Sequence, residues 1–304
     1  MDRVSLGGVD MCYERLGALQ APTVLLIAGH GAQLQWWDDG FCDRLVAEGF
    51  GVVRFDNRDA GTTSSFESAP RPDFGAILRG EPTDLAYTLW DMADDAAGLL
   101  GALAVADAHV VGVSMGGMIA QCLAINHPER VRSLCLISSS TGAGVGTRDA
   151  QTIDELADLA REFPDPVERE VETCRRFASP GFAFDEARAR ARTTRHYARG
   201  EPDGGSERQL AAILATGDLS RALRSLAVPT LVIHGDADRM VTPEGGAAIA
   251  AAVPGATSVV IAGMAHELPP EIWANVVTAI VALARRADAA RDRPSATTRS
   301  TRGG

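Results

Sequence analysis

A serine fenced by glycines, Gly112-Val113-Ser114-Met115-Gly116, sits inside the stretch AHVVGVSMGGMIAQC. Residues 108–113 read as a strand, and Met115 to about Asn126 as a helix. A strand-to-helix turn this tight strains the serine and tolerates only small residues two before and two after it. Gly112 and Gly116 meet that demand, and Gly117 lets the helix lie close to the sheet. The turn lifts a hydroxyl clear of the main chain, with the free amides and positive dipole end of a helix behind it. The chemistry this suits is nucleophilic attack on a carbonyl carbon.

A serine hydroxyl is a weak nucleophile near neutral pH. It needs a base within hydrogen-bond reach, and the base needs an orienting acid. Of the six histidines, His196, His234 and His266 lie beyond the helix that follows Ser114. His234 falls within an apolar strand and reads as structural. His196 lies in a helical stretch and reads as a surface residue, or else as a substrate contact. His266 follows a strand in IAGMAHELPP, on a glycine-containing loop, and is the candidate base. The acid belongs on the loop after residues 229–234, where HGDADRMV offers Asp236 and Asp238. Asp238, four residues past His234, has room to curl back toward His266. Asp236 comes almost directly off the strand and reads as a brace for the turn, although it stays open as the acid. An oxyanion hole needs two backbone donors. One is the N–H of Met115; the other comes from the loop begun by Gly29 and His30, with the N–H of His30 favoured.

These residues need a scaffold that gathers them at one rim. TVLLIAG (23–29) and GVVRFD (51–56) are apolar runs suited to strands buried on both faces. RVRSLCLISS (130–139), PTLVIHG (229–235) and ATSVVIAG (256–263) continue the series. Helices are expected at 40–48, at 83–103 with Thr83 as N-cap, and at roughly 243–252 and 268–285. Residues 3–6 and 10–16 read as a hairpin around Gly7-Gly8. The alternation implies an α/β fold, a mostly parallel sheet with helices on both faces, whose loops at the carboxyl ends share one edge. Residues 140–225 interrupt it with helical spacing and no clear strand. The expected organisation is a core of 1–139 and 226–285, a helical cap of 140–225 with an apolar lining, and a disordered polar tail of 286–304.

In that order and spacing, GVSMGG, HGDAD and GMAH resemble the α/β-hydrolase fold superfamily over residues 3 to 285. RFDNRDAGTTSS resembles the superfamily's D-x-R-x-x-G-x-S turn. DNRDAG and VVGVSMGGMIAQ are similar to the aclacinomycin methylesterase branch, small esterases that cleave a methyl ester on a polyketide. The resemblance implies Ser114 as nucleophile, Asp238 as acid and His266 as base of a serine esterase. Many relatives carry His-Gly where this chain has Ala28-Gly29. The same three residues would also serve C–C bond hydrolysis or perhydrolysis, or persist in a ligand receptor without turnover. Halide displacement and epoxide opening use an Asp at the elbow in this fold, so Ser114 argues against both.

Composition narrows the rest. The 304 residues carry a formal net charge of −11, which disfavours nucleic acid. Every basic residue is Arg; Lys is absent. No secretory h-region opens the chain and no apolar run spans a bilayer, so a cytoplasmic protein without a membrane span is expected. The five cysteines are odd in number, scattered, and expected to be reduced and buried. No Cys/His cluster or H-E-x-x-H motif calls for a metal, and GAGVGT (142–147) lacks G-K-[ST], so no cofactor is expected. Asp91, Asp94 and Asp95 read as a solvated helix face, Trp36, Trp37 and Trp90 as core or pocket walls, and Asp56 and Arg58 as pins for their turn. The partner is a small-molecule ester.

Overall fold

The computed structural model describes residues 1–291. Eight strands form one sheet: β1 (Asp2–Leu6), β2 (Val9–Leu16), β3 (Thr23–Ile27), β4 (Gly51–Phe55), β5 (Ala108–Val113), β6 (Val131–Ile137), β7 (Thr230–Gly235) and β8 (Thr257–Ile261). Their spatial order is β1-β2-β4-β3-β5-β6-β7-β8. The pairs β1/β2 and β2/β4 are antiparallel; every other pair is parallel. Strand order reverses about β3, so the loops after β3 and β5 flank one crevice at the carboxyl edge.

Successive side chains of a strand point to opposite faces. Leu25, Ile27, Val53 and Val110 therefore enter one core with Leu89, Met92 and Ile119. Val24, Leu26, Val52 and Val111 enter the other, with Phe41, Leu45, Val277 and Ile280. Helices α3 (Leu89–Ala102) and α4 (Met115–Asn126) cover the first face. Helices α1 (Asp39–Ala47) and α11 (Trp273–Arg291) cover the second. The short helix α2 (Phe74–Leu78) precedes α3, and α10 (Pro243–Ala252) joins β7 to β8.

Between β6 and β7 lie five helices and no strand: α5 (Ala150–Glu162), α6 (Pro166–Arg176), α7 (Glu186–Ala198), α8 (Gly205–Thr216) and α9 (Ser220–Leu223). This segment does not end cleanly before residue 225. Ala212, Leu219, Leu223 and Leu226 pack into the first core with Leu89 and Ile249, so α8 and α9 lean on the sheet's own helices.

Three expectations change. Helix α3 starts at Leu89 rather than near Thr83, because Thr88 and Asp91 form a reciprocal capping box. Asp95 is not on a solvated face: it is buried and paired with Arg58, whose guanidinium bridges the turn after β4 to α3. The polar tail begins later than residue 286, since α11 continues to Arg291 and buries Ala287; the rest of that expected tail, 292–304, lies outside the described residues. Cys12, Cys42, Cys122 and Cys135 are buried free thiols, whereas Cys174 is only half-buried. Among the described residues no helix is long and apolar enough to cross a membrane.

Candidate active site

Ser114 joins β5 to α4 with φ 56° and ψ −124°, at a positive φ that residues with a side chain rarely adopt. Holding it there costs about 1–3 kcal/mol, supplied by packing around the turn. The glycines show how close that packing is. A Cβ on Gly112 would enter the carbonyl of Gly116, and one on Gly116 would enter the carbonyl of Ile27. A Cβ on Gly117 would lie 2.6 Å from Ser139 Cβ, where α4 crosses the loop after β6. The Ser114 amide donates to Ile137 O at 2.9 Å, which locks the turn to the neighbouring strand.

His266 stands on the loop after β8. Its Nε2 is 3.0 Å from Ser114 Oγ, and its Nδ1 is 2.7 Å from Asp238 Oδ2. The loop is fixed from both sides. Asp236 Oδ1 accepts the Gly263 N–H at 2.6 Å, and Ser179 Oγ accepts the Ala265 N–H at 2.9 Å. Asp236 therefore braces the β8 loop, while Asp238 faces the imidazole. Asp238 is buried, and its Oδ1 accepts the amides of Met240 and Val241 at 2.9 and 3.0 Å. Burial pushes its carboxyl up, but the charge of His266, the hydrogen bond from it and the Val241 amide hold it below the ordinary carboxylate range. His234 is buried in β7, and its Nε2–H donates to Val241 O at 2.9 Å. That bond curls the segment carrying Asp238 back over the strand end.

The loop after β3 closes the other side of Ser114. Gly29 packs so tightly that a Cβ there would meet Ser114 Cβ at 3.2 Å. Among the described residues, neither the His30 nor the Met115 amide donates to a backbone acceptor. The loop itself is braced from far away in the chain. Asn57 Nδ2 donates to Ala28 O at 3.1 Å. Gln209, fully buried on α8, accepts the Gly31 N–H at 2.7 Å and donates to Arg58 O at 2.7 Å. His30 Nε2–H donates to Ser206 O at 2.8 Å. Burial drives the His30 imidazole below its usual range, against the raising effect of the Ser206 carbonyl. Asp56 receives Arg199 at 2.6 Å and the Leu34 amide at 2.7 Å, pinning both the loop and the C-terminal end of α7. None of Gln209, Ser206 or Arg199 was flagged by sequence reasoning. The only local hint was a polar pair, Arg208-Gln209, running directly into the apolar stretch LAAILA of the same helix.

A cavity of about 520 Å³ opens over Ser114 and His266, between the sheet edge and helices α5 to α8. Its walls correct two expectations. The helical segment does not give an apolar lining: Arg148, Arg169, Arg192, Glu170 and Glu201 line it beside Leu156 and Phe177. His196 is not a surface residue but a half-buried one on the cavity wall, its ring edge-on to Tyr197 at 5.1 Å. Trp36 also lines the cavity, while Trp37 is buried in the core and Trp90 packs against the first core. Among the described residues no group of three or more His, Cys, Asp or Glu side chains could hold a metal ion. The arrangement offers a hydroxyl, an imidazole and a carboxylate in series, facing a space for a small molecule.

The chain is similar to known proteins over most of its length. The chain is 28% identical to rhodomycin D methylesterase DauP of Streptomyces sp. (strain C5), over 92% of this chain and 96% of that one. It is 29% identical to rhodomycin D methylesterase DnrP of Streptomyces peucetius, with the same coverage. A hydrolase from Pseudomonas aeruginosa PA01 superposes with a TM-score of 0.69 at 25% identity, covering 93% of this chain and 97% of that one. The alpha/beta hydrolase fold model matches residues 22–271. With that match laid over this sheet order and this strand-to-helix turn, the chain belongs to the alpha/beta hydrolase fold family.

Proposed function

We propose that the protein hydrolyses a carboxylic ester through an acyl-enzyme on Ser114. The observation that carries this reading is the unbroken line of hydrogen-bond distances from Asp238 through His266 to Ser114, 2.7 and then 3.0 Å. Asp238 holds the Nδ1–H tautomer, which leaves the Nε2 lone pair free to take the serine proton. Ser114 Oγ attacks the carbonyl carbon, and the amides of Met115 and His30 receive the developing oxyanion. The protonated imidazole then gives its Nε2 proton to the departing alkoxide, and the C–O bond breaks. Water, deprotonated by the same nitrogen, attacks the acyl-enzyme and releases the acid. His266, Asp238 and the strained turn act in both halves of the cycle.

The names of the two Streptomyces relatives support a methyl ester as the bond cut. Methanol leaves a small void, so most of the 520 Å³ cavity is available to the acyl portion. The test is hydrolysis of p-nitrophenyl acetate by the protein and by Ser114→Ala, with fluorophosphonate labelling of both. Turnover and labelling are expected for the parent and lost in the variant. Undiminished hydrolysis by Ser114→Ala overturns the assignment.

A further inference from the structure

The two ring nitrogens of His30 meet different surroundings. Nε2 lies 2.8 Å from Ser206 O and 3.1 Å from Ser206 Oγ. A carbonyl oxygen only accepts, so Nε2 carries the ring proton and Nδ1 is the bare acceptor. Burial, which holds this imidazole below its usual range, works against a second proton on Nδ1. The amides next along the chain are committed elsewhere. Gly31 N–H donates to Gln209 Oε1 at 2.7 Å, and Ala32 N–H to Gly29 O at 3.2 Å. Among the described residues no donor reaches Nδ1, and the atom is not sealed from solvent. His30 lines the cavity over Ser114, so this lone pair opens into it.

The ring is fixed by contacts that run back to the core. Ser206 sits in the first turn of α8, and α8 is anchored to the turn after β4. Arg208 donates to both carboxylate oxygens of Asp59, at 2.8 and 2.7 Å, with both side chains buried. A Cβ on Gly205 would lie 2.7 Å from Asp59 O, so the helix start presses against that turn. An acceptor held this way meets a ligand donor at little cost in ordering. It also discriminates, because a ligand that covers Nδ1 with a methyl group leaves the nitrogen unsatisfied.

The position of the acceptor selects the donor. In the reading above, the amide of this same residue receives the oxyanion, which places Nδ1 beside the acyl carbonyl. A donor there belongs to the acyl portion, on the carbon next to the carbonyl or the one beyond. An ammonium so close would be repelled by the positive charge that forms on His266, whose Nε2 is 3.0 Å from Ser114 Oγ. A hydroxyl is not.

We propose that His30 Nδ1 accepts a hydrogen bond from a hydroxyl on the acyl portion of the substrate, so that the ester hydrolysed is a 2- or 3-hydroxy ester. This rests on the ester-hydrolase reading above.

The test uses two matched series of methyl esters, the 2- and the 3-substituted butanoates, each bearing a hydroxyl, a methyl or a methoxy group. Each ester is measured as a substrate, by methanol release, and as a competitor of p-nitrophenyl acetate hydrolysis, so that slow turnover still reports binding. In at least one series the parent protein is expected to favour the hydroxyl ester about tenfold or more over both the methyl ester, which has no polar atom there, and the methoxy ester, which has no donor. His30→Phe is expected to collapse that ratio toward one. His30→Asn, whose Oδ1 stands near the place of Nδ1 but whose side chain is too short for Ser206, is expected to keep part of it. A role in bracing the loop alone would lower all the esters together and leave the ratio unchanged in His30→Phe, which overturns the inference. His30→Ala gives the same readout should the Phe variant fail to fold. Equal treatment of the hydroxyl and methyl esters by the parent in both series, including failure of both to compete, also overturns it. Loss of p-nitrophenyl acetate hydrolysis in the parent itself would instead overturn the esterase reading.

Discussion

Replacing Asp238 by Asn tests the site at its least visible member. Oδ1 of this residue accepts two amides, at 2.9 and 3.0 Å, while Oδ2 faces His266 Nδ1 at 2.7 Å. An asparagine has one orientation that keeps both amide bonds: its oxygen stays with Met240 and Val241, and its Nδ2–H₂ points at the imidazole. The flipped orientation sets donors against two half-buried N–H groups, at up to about 1–3 kcal/mol for each one left unsatisfied. In the favoured orientation Nδ2–H donates to His266 Nδ1. The ring proton then sits on Nε2, 3.0 Å from Ser114 Oγ, where the base must be empty. The wrong tautomer costs about 10⁴-fold in kcat, equivalent to about 5 kcal/mol of transition-state stabilisation. The assay is steady-state hydrolysis of p-nitrophenyl acetate at pH 7.5, with circular dichroism to verify the fold. Asp236→Asn is the control, because its oxygen still accepts the Gly263 N–H and it has no line to the imidazole. A folded Asp238→Asn within tenfold of the parent, or an Asp236→Asn that falls as far, refutes this reasoning.

Two further outcomes can be checked. Gln209→Leu strands the Gly31 N–H and the Arg58 carbonyl; at about 1–3 kcal/mol for each, the thermal midpoint should fall. The loosened loop should also lower kcat by about 10–100-fold while KM changes little, and Gln209→Glu, which keeps the acceptor for Gly31, should retain more of kcat than Leu does; unchanged kcat in Gln209→Leu refutes the bracing role. For stability against pH, burial holds the imidazoles of His30, His196 and His234 below their usual range. Burial raises Asp59 and Asp238, but Arg208 and His266 outweigh it and leave both below theirs. In all five the unfolded chain takes up a proton before the folded one does. Their stabilisation is present above the unfolded pKa and is lost as pH falls through the folded one. The denaturation midpoint should therefore decline first as pH drops below about 6.5 and again below about 4; calorimetry showing a midpoint that rises over that range refutes the assignment.

What the sequence determined by itself was local and steric. Ser114 was legible because a strand-to-helix turn of that tightness leaves room only for glycine at 112 and 116, and each backbone contact involved lies near in the chain or in the adjacent strand. His266 was legible because a parallel sheet puts the loops after its strands at one edge, and apolar runs reveal a parallel sheet. Helix α3 starts later than its periodicity implies, since the capping box at Thr88 and Asp91 outweighs the apolar spacing that begins earlier. Asp236 and Asp238 are equivalent in type and nearly so in position. Only the return of the chain over β7, held by His234 and Val241, separates the one that braces from the one that faces the imidazole. The support of the loop at His30 comes from residues 176 and 178 positions away, and no spacing encodes it. The cavity's charge was likewise invisible, because which arginines and glutamates line it depends on where the helices after β6 come to rest. Short-range sterics are written in a few neighbouring residues, whereas the pairing of buried charges is settled only when distant elements pack.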